Sequence, residues 1–418
     1  MRVLHLSWEY PPVVYGGLGR HVHALAEAQA GRGHDVVVIT QAASDAVADE
    51  RVNGVRVIRV MPDAPFVPDW RDRFIPWVFG FNVAVMRAAH VLLREGTADV
   101  VPAHDWLVAQ AAVVVQESAG IPFVFTLHAT EAGRQDGALV TDQSWDIHST
   151  EWWAVDHADR VIVCSEFMRA EAQQLFSPRP DSVAVIPNGI DPEQWQVPAG
   201  RRAAMRRRFG SPLVVFAGRL EWEKGVQTLI DALPRLQRVI PEARAVVIGE
   251  GSAADRLKAR ARKKGVAASI TFTGFVSEAD LRSIGAAADV AVVPSLYEPF
   301  GFVALEAIVL GAPLVVASTG GLAEIVDDGR TGWTFPPGDP KSLAGCLAQV
   351  LLDPSEVRRR GDLARADVLQ RFGWGDIAAA TCAVYVDVIA DCAGTAGQPR
   401  RRALYLRPEG NALRVSPR

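Results

Sequence analysis

Residues 289–313 read DVAVVPSLYEPFGFVALEAIVLGAP, and this stretch decides the fold class. Asp289 to Pro294 is a β-branched run with no charge after its first residue, the pattern of a strand buried on both faces. Ser295 to Pro299 reads as a turn, and Gly301 to Leu310 as a helix closed by Gly311 and Pro313. Strand, turn and helix in that order put the turn at the carboxyl end of a strand, where open α/β sheets bind ligands. The amides of Phe300, Gly301 and Phe302 have no preceding helical turn to bond to, so together with the helix dipole they favour phosphate oxygens. Glu298 lies just outside this helix start and Glu306 one to two turns inside it. A ligand with a phosphate in the middle and hydroxyls at both ends fits, which describes a nucleotide sugar.

The same alternation runs through the chain. Val/Ile-rich runs at 2–7, 35–40, 55–60, 99–102, 122–126, 160–164 and 183–186 alternate with helical patterns, and the series restarts at 212–217, 244–248, 270–273, 289–293, 313–317 and 332–335. That predicts an α/β protein with two doubly wound, Rossmann-like parallel-sheet domains. The turn cluster Pro187 to Pro192 and the basic stretch Pro198 to Arg208 place a linker near 188–200. Expected domains are therefore 1–190 and 198–375, with a last helix, 376–391, that has no following strand and crosses back onto the first domain.

Composition narrows the partners. With 418 residues, 49% hydrophobic and 22% charged, the chain is ordinary for a globular protein of two to three domains. A net charge of −4 argues against nucleic acid as a general partner. Residues 393–418 differ: six arginines against Glu409 give a local +5, leaving −9 for the rest, which reads first as a solvated tail, with peripheral contact to an anionic membrane or partner as the second reading. Cys164, Cys346, Cys382 and Cys392 have neither CxxC spacing nor a partnered His, so no disulfide framework or zinc site is expected. His5 and Glu9 interrupt the amino terminus where a signal peptide needs an apolar stretch, and no window of about 18 apolar residues stands out. A cytoplasmic protein is expected.

Three further segments carry chemistry. Gly16-Gly17-Leu18-Gly19 joins the first strand to a helix, where glycine lets backbone approach an anion, but the spacing is not the dinucleotide GxGxxG. Gly218 to Gly225 (GRLEWEKG) puts Arg219 and Lys224 at the end of the second domain's first strand, as phosphate ligands. No Asp-x-Asp occurs in the chain. A diphosphate clamp through a divalent cation needs clustered carboxylates, so Arg219, Lys224 and the helix dipole are expected to neutralise the leaving group with no metal and no cofactor. His104 and His128 top successive strands of the first domain. His21 and His23 lie two apart on different faces of a helix and do not suggest a metal pair.

Together these segments resemble the retaining, glycogen-synthase-like glycosyltransferases of family 4, which have the GT-B fold with an interdomain cleft. The resemblance covers most of the chain through YGGLG (15–19), HDW (104–106), FTLH (125–128), VCSE (163–166), IPNGID (186–191), GRLEWEKG (218–225), TGFV (273–276) and EPFGFVALE (298–306). It implies that Arg219 and Lys224 hold the donor diphosphate and Glu306 the ribose. It gives the transferred sugar to Glu298 with the amides of Phe300 and Gly301. Gly17 then approaches the donor, His128 contacts the sugar near its hydroxymethyl group, backbone at Phe275 and Val276 meets the base, and Asp105 faces the acceptor. Residues 125–134 are similar to actinobacterial α-1,4-glucosyltransferases of the glycogen and methylglucose lipopolysaccharide type. That similarity implies UDP-glucose or ADP-glucose as donor and an α-glucan as acceptor.

Retention by double displacement needs a carboxylate nucleophile, and the first domain offers none that is obvious. Same-face attack is the expectation, with the departing phosphate oxygen taking the acceptor proton as the domains close. Two other readings stay open. One is a lipid-directed mannosyl- or glycosyltransferase with a glycolipid acceptor, for which the basic tail and the 71–94 helix are recruited to membrane. The other is a nucleotide-sugar 2-epimerase, which needs no acceptor.

Overall fold

Valine and isoleucine dominate the strands because both faces of each parallel sheet are covered by helices. The computed structural model describes residues 1–43, 46–62 and 74–394; the basic tail beyond 394 and the start of the 71–94 segment lie outside the described residues. The chain divides into two units, Met1–Gly189 with the segment from Trp374 onward, and Ile190–Gly373.

The first unit is built on an eight-stranded sheet of order β3-β4-β2-β1-β5-β6-β7-β8. Its strands are β1 (Arg2–Leu6), β2 (Asp35–Gln41), β3 (Asp49–Val52), β4 (Val55–Val60), β5 (Val101–His104), β6 (Phe123–Leu127), β7 (Arg160–Val163) and β8 (Val183–Val185). All neighbours pair in parallel except β3 and β4. That antiparallel hairpin turns at Asn53-Gly54, a pair suited to positive φ at both residues. It departs from the all-parallel expectation, because the charged run DERV gives no strand signal.

The second unit has a six-stranded sheet of order β11-β10-β9-β12-β13-β14. Its strands are β9 (Leu213–Ala217), β10 (Arg244–Ile248), β11 (Ile270–Gly274), β12 (Val290–Val293), β13 (Leu314–Ala317) and β14 (Trp333–Phe335). The strand order reverses between β9 and β12 here and between β1 and β5 in the first unit. Those are the two positions where doubly wound sheets open a crevice for ligands. The helix Val226–Leu236 shows how the core is filled, burying Val226, Leu229, Ile230, Leu233 and Leu236 at helical spacing.

The polar stretch before β9 is structured. Residues 199–209 form the helix Ala199–Phe209, which belongs to the second unit although none of its residues is buried. The last helix, Trp374–Gly394, lies in the first unit, where Ile377, Tyr385 and Val388 join Val3, Val100, Val124 and Ile162 in one apolar cluster. This helix and Phe74–Glu95 are long and apolar enough to cross a membrane by length and composition, contrary to the expectation of no such window. Both bury a face in the unit. On Phe74–Glu95 the buried Asn82 bonds Val78 O, Leu107 O and the amide of Ala111, a polar anchor that fits a core helix.

Truncating Tyr385, fully buried, removes an aromatic side chain from that cluster. Tyr385→Ala should lose about 3–5 kcal/mol in chemical denaturation, whereas Val386→Ala, half-exposed on the same helix, should change stability by less than about 0.5 kcal/mol.

Candidate active site

At the switch point of the second sheet, two loops meet backbone to backbone. The loop after β9 ends at Gly225, where a Cβ would lie 1.7 Å from the carbonyl oxygen of Pro294. Only glycine permits that approach, and its φ of +71° is one glycine adopts freely. Leu296 N also donates to Glu223 O at 2.7 Å. The seam places Lys224 Nζ 3.0 Å from Glu298 Oε2, which accepts from Ser295 Oγ at 3.0 Å as well. Both charged side chains are mostly shielded, at 18% and 16% exposure, so their attraction is screened less than that of a surface pair. Arg219 is the open member, half-exposed, with Glu223 at 3.6 Å.

The other flank of Glu298 rests on a segment that the sequence reading does not single out. Gly321 N donates to Glu298 O at 2.9 Å, and a Cβ on Gly320 would lie 2.0 Å from that same oxygen. The helix itself is Phe302–Val309, starting one residue later than expected because Gly301 caps it with a φ of +120°. Glu306 is buried in its second turn, and Phe300 is buried against Phe302 and Phe372. Phe275 is 82% exposed. Its amide donates to Glu250 Oε1 at 3.2 Å, so that N–H is already engaged. Together with Arg208 and Ser277, Phe275 and Val276 border a groove of about 420 Å³.

In the first unit Gly17 opens the helix Gly17–Gly31 at the end of the loop after β1. The amides of Tyr15 and Gly16 point at an anion, and it is the chain's own: Glu9 Oε2 accepts both, at 2.8 and 3.0 Å. Glu9 is buried, and burial raises its pKa against the pull of those amides. Across the switch point, Asp105 holds a left-handed φ of +60° and accepts the amide of His128 at 2.8 Å. Burial pushes the Asp105 carboxyl up to about 6, although Arg134 and the amides of His128 and Ala129 oppose it.

His128 stands in a cluster that spacing alone does not reveal. His5 on β1, His104 on β5 and His128 after β6 form a hydrogen-bonded row, with 3.0 Å from His5 Nδ1 to His104 Nε2 and 3.2 Å from His104 Nδ1 to His128 Nε2. His21 packs against His104 and His128 from the helix Gly17–Gly31. Burial drives all four pKa values down, His5 to about 4 and His128 to about 3, so the row is neutral at physiological pH. Arg134 lies 4.0 Å from Asp105 and 3.8 Å from Glu131. Glu151 is fully buried and accepts the amide of Glu131, whose own Oε1 accepts from Ser144 and Gln135.

A family model described as Glycosyltransferase Family 4 matches residues 15–194, and one described as Glycosyl transferases group 1 matches residues 202–367. The glycogen synthase of Mycobacterium tuberculosis (strain ATCC 25618 / H37Rv) is 42% identical over 397 residues, covering 92% of this chain and 94% of that one. The D-inositol 3-phosphate glycosyltransferase of Xylanimonas cellulosilytica is 35% identical, covering 88% and 91%. Among solved structures, sucrose-phosphate synthase from Thermosynechococcus elongatus matches with a TM-score of 0.82 at 25% identity, over 93% of this chain and 99% of that one.

Gly225→Ala and Asp105→Asn test this geometry by stability, with Gly345→Ala as a control away from the site. Gly225→Ala should cost at least about 2 kcal/mol, since loop backbone must move. Gly345→Ala, with open space around it in the helix Pro340–Leu352, should gain about 0.5–1 kcal/mol. Asp105, whose folded pKa is raised, contributes stability that is full below pH 3.8 and is lost as pH rises through about 6. Asp105→Asn should remove that dependence and be more stable than wild type at pH 8, by at most roughly 3 kcal/mol.

Proposed function

The chain belongs to glycosyltransferase family 4, with the GT-B pair of Rossmann-like units, and on that premise we propose that it is a retaining glucosyltransferase that moves glucose from UDP-glucose or ADP-glucose onto an α-glucan. The observation that carries the proposal is the Lys224–Glu298 pair at the second sheet's switch point, with Arg219 open on the same loop and Glu306 in the helix that follows. The likeness to a glycogen synthase over nearly its whole length supports glucose and an α-glucan.

Chemically, the diphosphate is the group that must be stabilised as it leaves. Arg219 binds its oxygens in bidentate fashion, and Lys224, held in place by Glu298, adds a second positive charge. Charge-assisted hydrogen bonds are each worth about 1.5–3 kcal/mol, and aimed at developing charge they act on the barrier itself. Glu298 takes the hydroxyls of the transferred sugar and Glu306 those of the ribose. Gly17, His128, Asp105, and the backbone of Phe275 and Val276 keep the roles the resemblance implies. For Phe275 that role falls to its carbonyl, because its amide is engaged by Glu250.

The acceptor hydroxyl attacks C1 on the face from which the diphosphate departs. As the C1–oxygen bond breaks and the new glycosidic bond forms, the hydroxyl proton passes to the leaving phosphate oxygen. The products are a nucleoside diphosphate and a glucan one residue longer. This route is favoured over double displacement because Glu131, Glu151 and Asp105 are buried and already engaged by hydrogen bonds or by Arg134. Without an Asp-x-Asp, metal dependence is not expected.

Nucleotide release from UDP-, ADP- and GDP-sugars, with and without an α-glucan in EDTA, tests the reading. Release from a glucose donor that requires the glucan and persists in EDTA is the expected result; strict dependence on added Mg²⁺ or Mn²⁺, or release without any acceptor, contradicts it. Arg219→Ala should lower kcat by about 10²–10³-fold while its unfolding midpoint stays near wild type, because the side chain is half-exposed.

A further inference from the structure

We infer that His21, His104 and His128 form a binding site for a first-row transition cation of the Zn²⁺ class. The ligating nitrogens of the three rings all lie within 4.8 Å of one another, in the first unit alone.

Hydrogen bonds around the cluster fix which nitrogens carry lone pairs. His21 Nδ1 lies 2.6 Å from Asn188 Oδ1, an acceptor, so the proton sits on Nδ1 and Nε2 is bare. That Nε2 is buried and has no hydrogen-bond partner among the described residues. On the far side, His5 Nε2 donates to Gln29 Oε1 at 2.7 Å, which leaves His5 Nδ1 to accept from His104 Nε2 at 3.0 Å. His104 Nδ1 is then the second lone pair, 3.2 Å from His128 Nε2. A shift of one proton from Nε2 to Nδ1 of His128 supplies the third ligand at no cost in charge.

The hydrogen-bond network alone does not explain the bare His21 nitrogen, whereas a shared cation does. Tetrahedral Zn²⁺ with Zn–N of about 2.0–2.1 Å sets its ligand nitrogens about 3.3–3.4 Å apart. The His104 Nδ1–His128 Nε2 edge, at 3.2 Å, is already near that length. Asn188 and His5 stand where second ligands to metal-bound imidazoles stand, each fixing a tautomer and a ring orientation. Neutral imidazoles suit Zn²⁺, Co²⁺, Ni²⁺ or Cu²⁺ and not Mg²⁺ or Ca²⁺. His21 and His104 are buried and His128 is partly exposed, so the cation enters past His128 and its fourth position faces that side.

Occupancy takes His128 Nε2 out of use for a substrate. Reversible inhibition by Zn²⁺ is the consequence, and that clause rests on the role proposed for His128; cation binding does not.

The experiment uses the full chain, freed of metal with a chelator that is then removed. Zn²⁺ is titrated against a chromogenic chelator, and Co²⁺ binding is followed by its visible absorption. One equivalent of tightly held Zn²⁺, and the intense bands of four-coordinate Co²⁺, are expected. His21→Gln or His104→Asn should weaken Zn²⁺ at least 100-fold. His5→Phe, which keeps all three ligands, should weaken it 10–100-fold, and His23→Gln, part-exposed and bonded to Glu27, should leave it unchanged. Absence of stoichiometric binding to wild type overturns the inference, as does a Co²⁺ spectrum of six-coordinate type. So does Zn²⁺ affinity that survives His21→Gln. The wild-type Zn²⁺ and Co²⁺ measurements decide even if a variant fails to fold. Binding without inhibition would retain the site and count against the role given to His128.

Discussion

Backbone lies directly on backbone at the carboxyl edge of the second sheet, and the site depends on that contact. Gly225 lets the loop after β9 press on Pro294, and Gly320 lets the segment after β13 press on Glu298. With side chains excluded from these seams, loops that start on neighbouring strands share one register. Lys224 and Glu298 meet at hydrogen-bond distance although they are 74 positions apart. A flexible loop would have to find that pairing anew, at an entropic cost for every residue ordered. Here the cost is met in folding, which is what preorganisation for a leaving group requires.

The first unit sets neutral rings beside a charged pair, Asp105 and Arg134, 4.0 Å apart. Its switch point is lined by uncharged imidazoles, and its glycine loop is held by the buried carboxylate of Glu9. The amides that look ready for a substrate phosphate are already satisfied by the chain. The cations proposed to meet the donor, Arg219 and Lys224, both lie on the second unit's loop after β9. Lys224 and Glu298 meet at hydrogen-bond distance on the second unit's loops, with Arg219 half-exposed beside them, which supports the roles proposed for them.

Strands and fold class were legible because parallel strands buried on both faces must be β-branched runs, as in β2, β9 and β12. The hairpin strand β3 was not, since an exposed edge of charged residues carries no burial pattern. The arginine-rich helix Ala199–Phe209 read as linker for the same reason, because it buries nothing. Motif spacing located Arg219, Lys224, Glu298 and Glu306, each within one strand-loop-helix unit. It could not locate partners that tertiary structure supplies. Glu9 gives no local sign that it will cap a loop six positions on, and His5, His21, His104 and His128 come from four separate elements. The start of the helix after Glu298 was misplaced by one residue because Gly301 adopts a positive φ that composition does not report.

The central claim is that loops of the second unit stabilise a departing diphosphate, with retention at C1 and without a metal. Proton NMR of the new glycosidic linkage during turnover, with an α-linked nucleotide glucose and a malto-oligosaccharide in EDTA, tests it most directly. The account predicts that the newly formed linkage is α. A β-linked first product, or no product until a divalent cation is supplied, would contradict it.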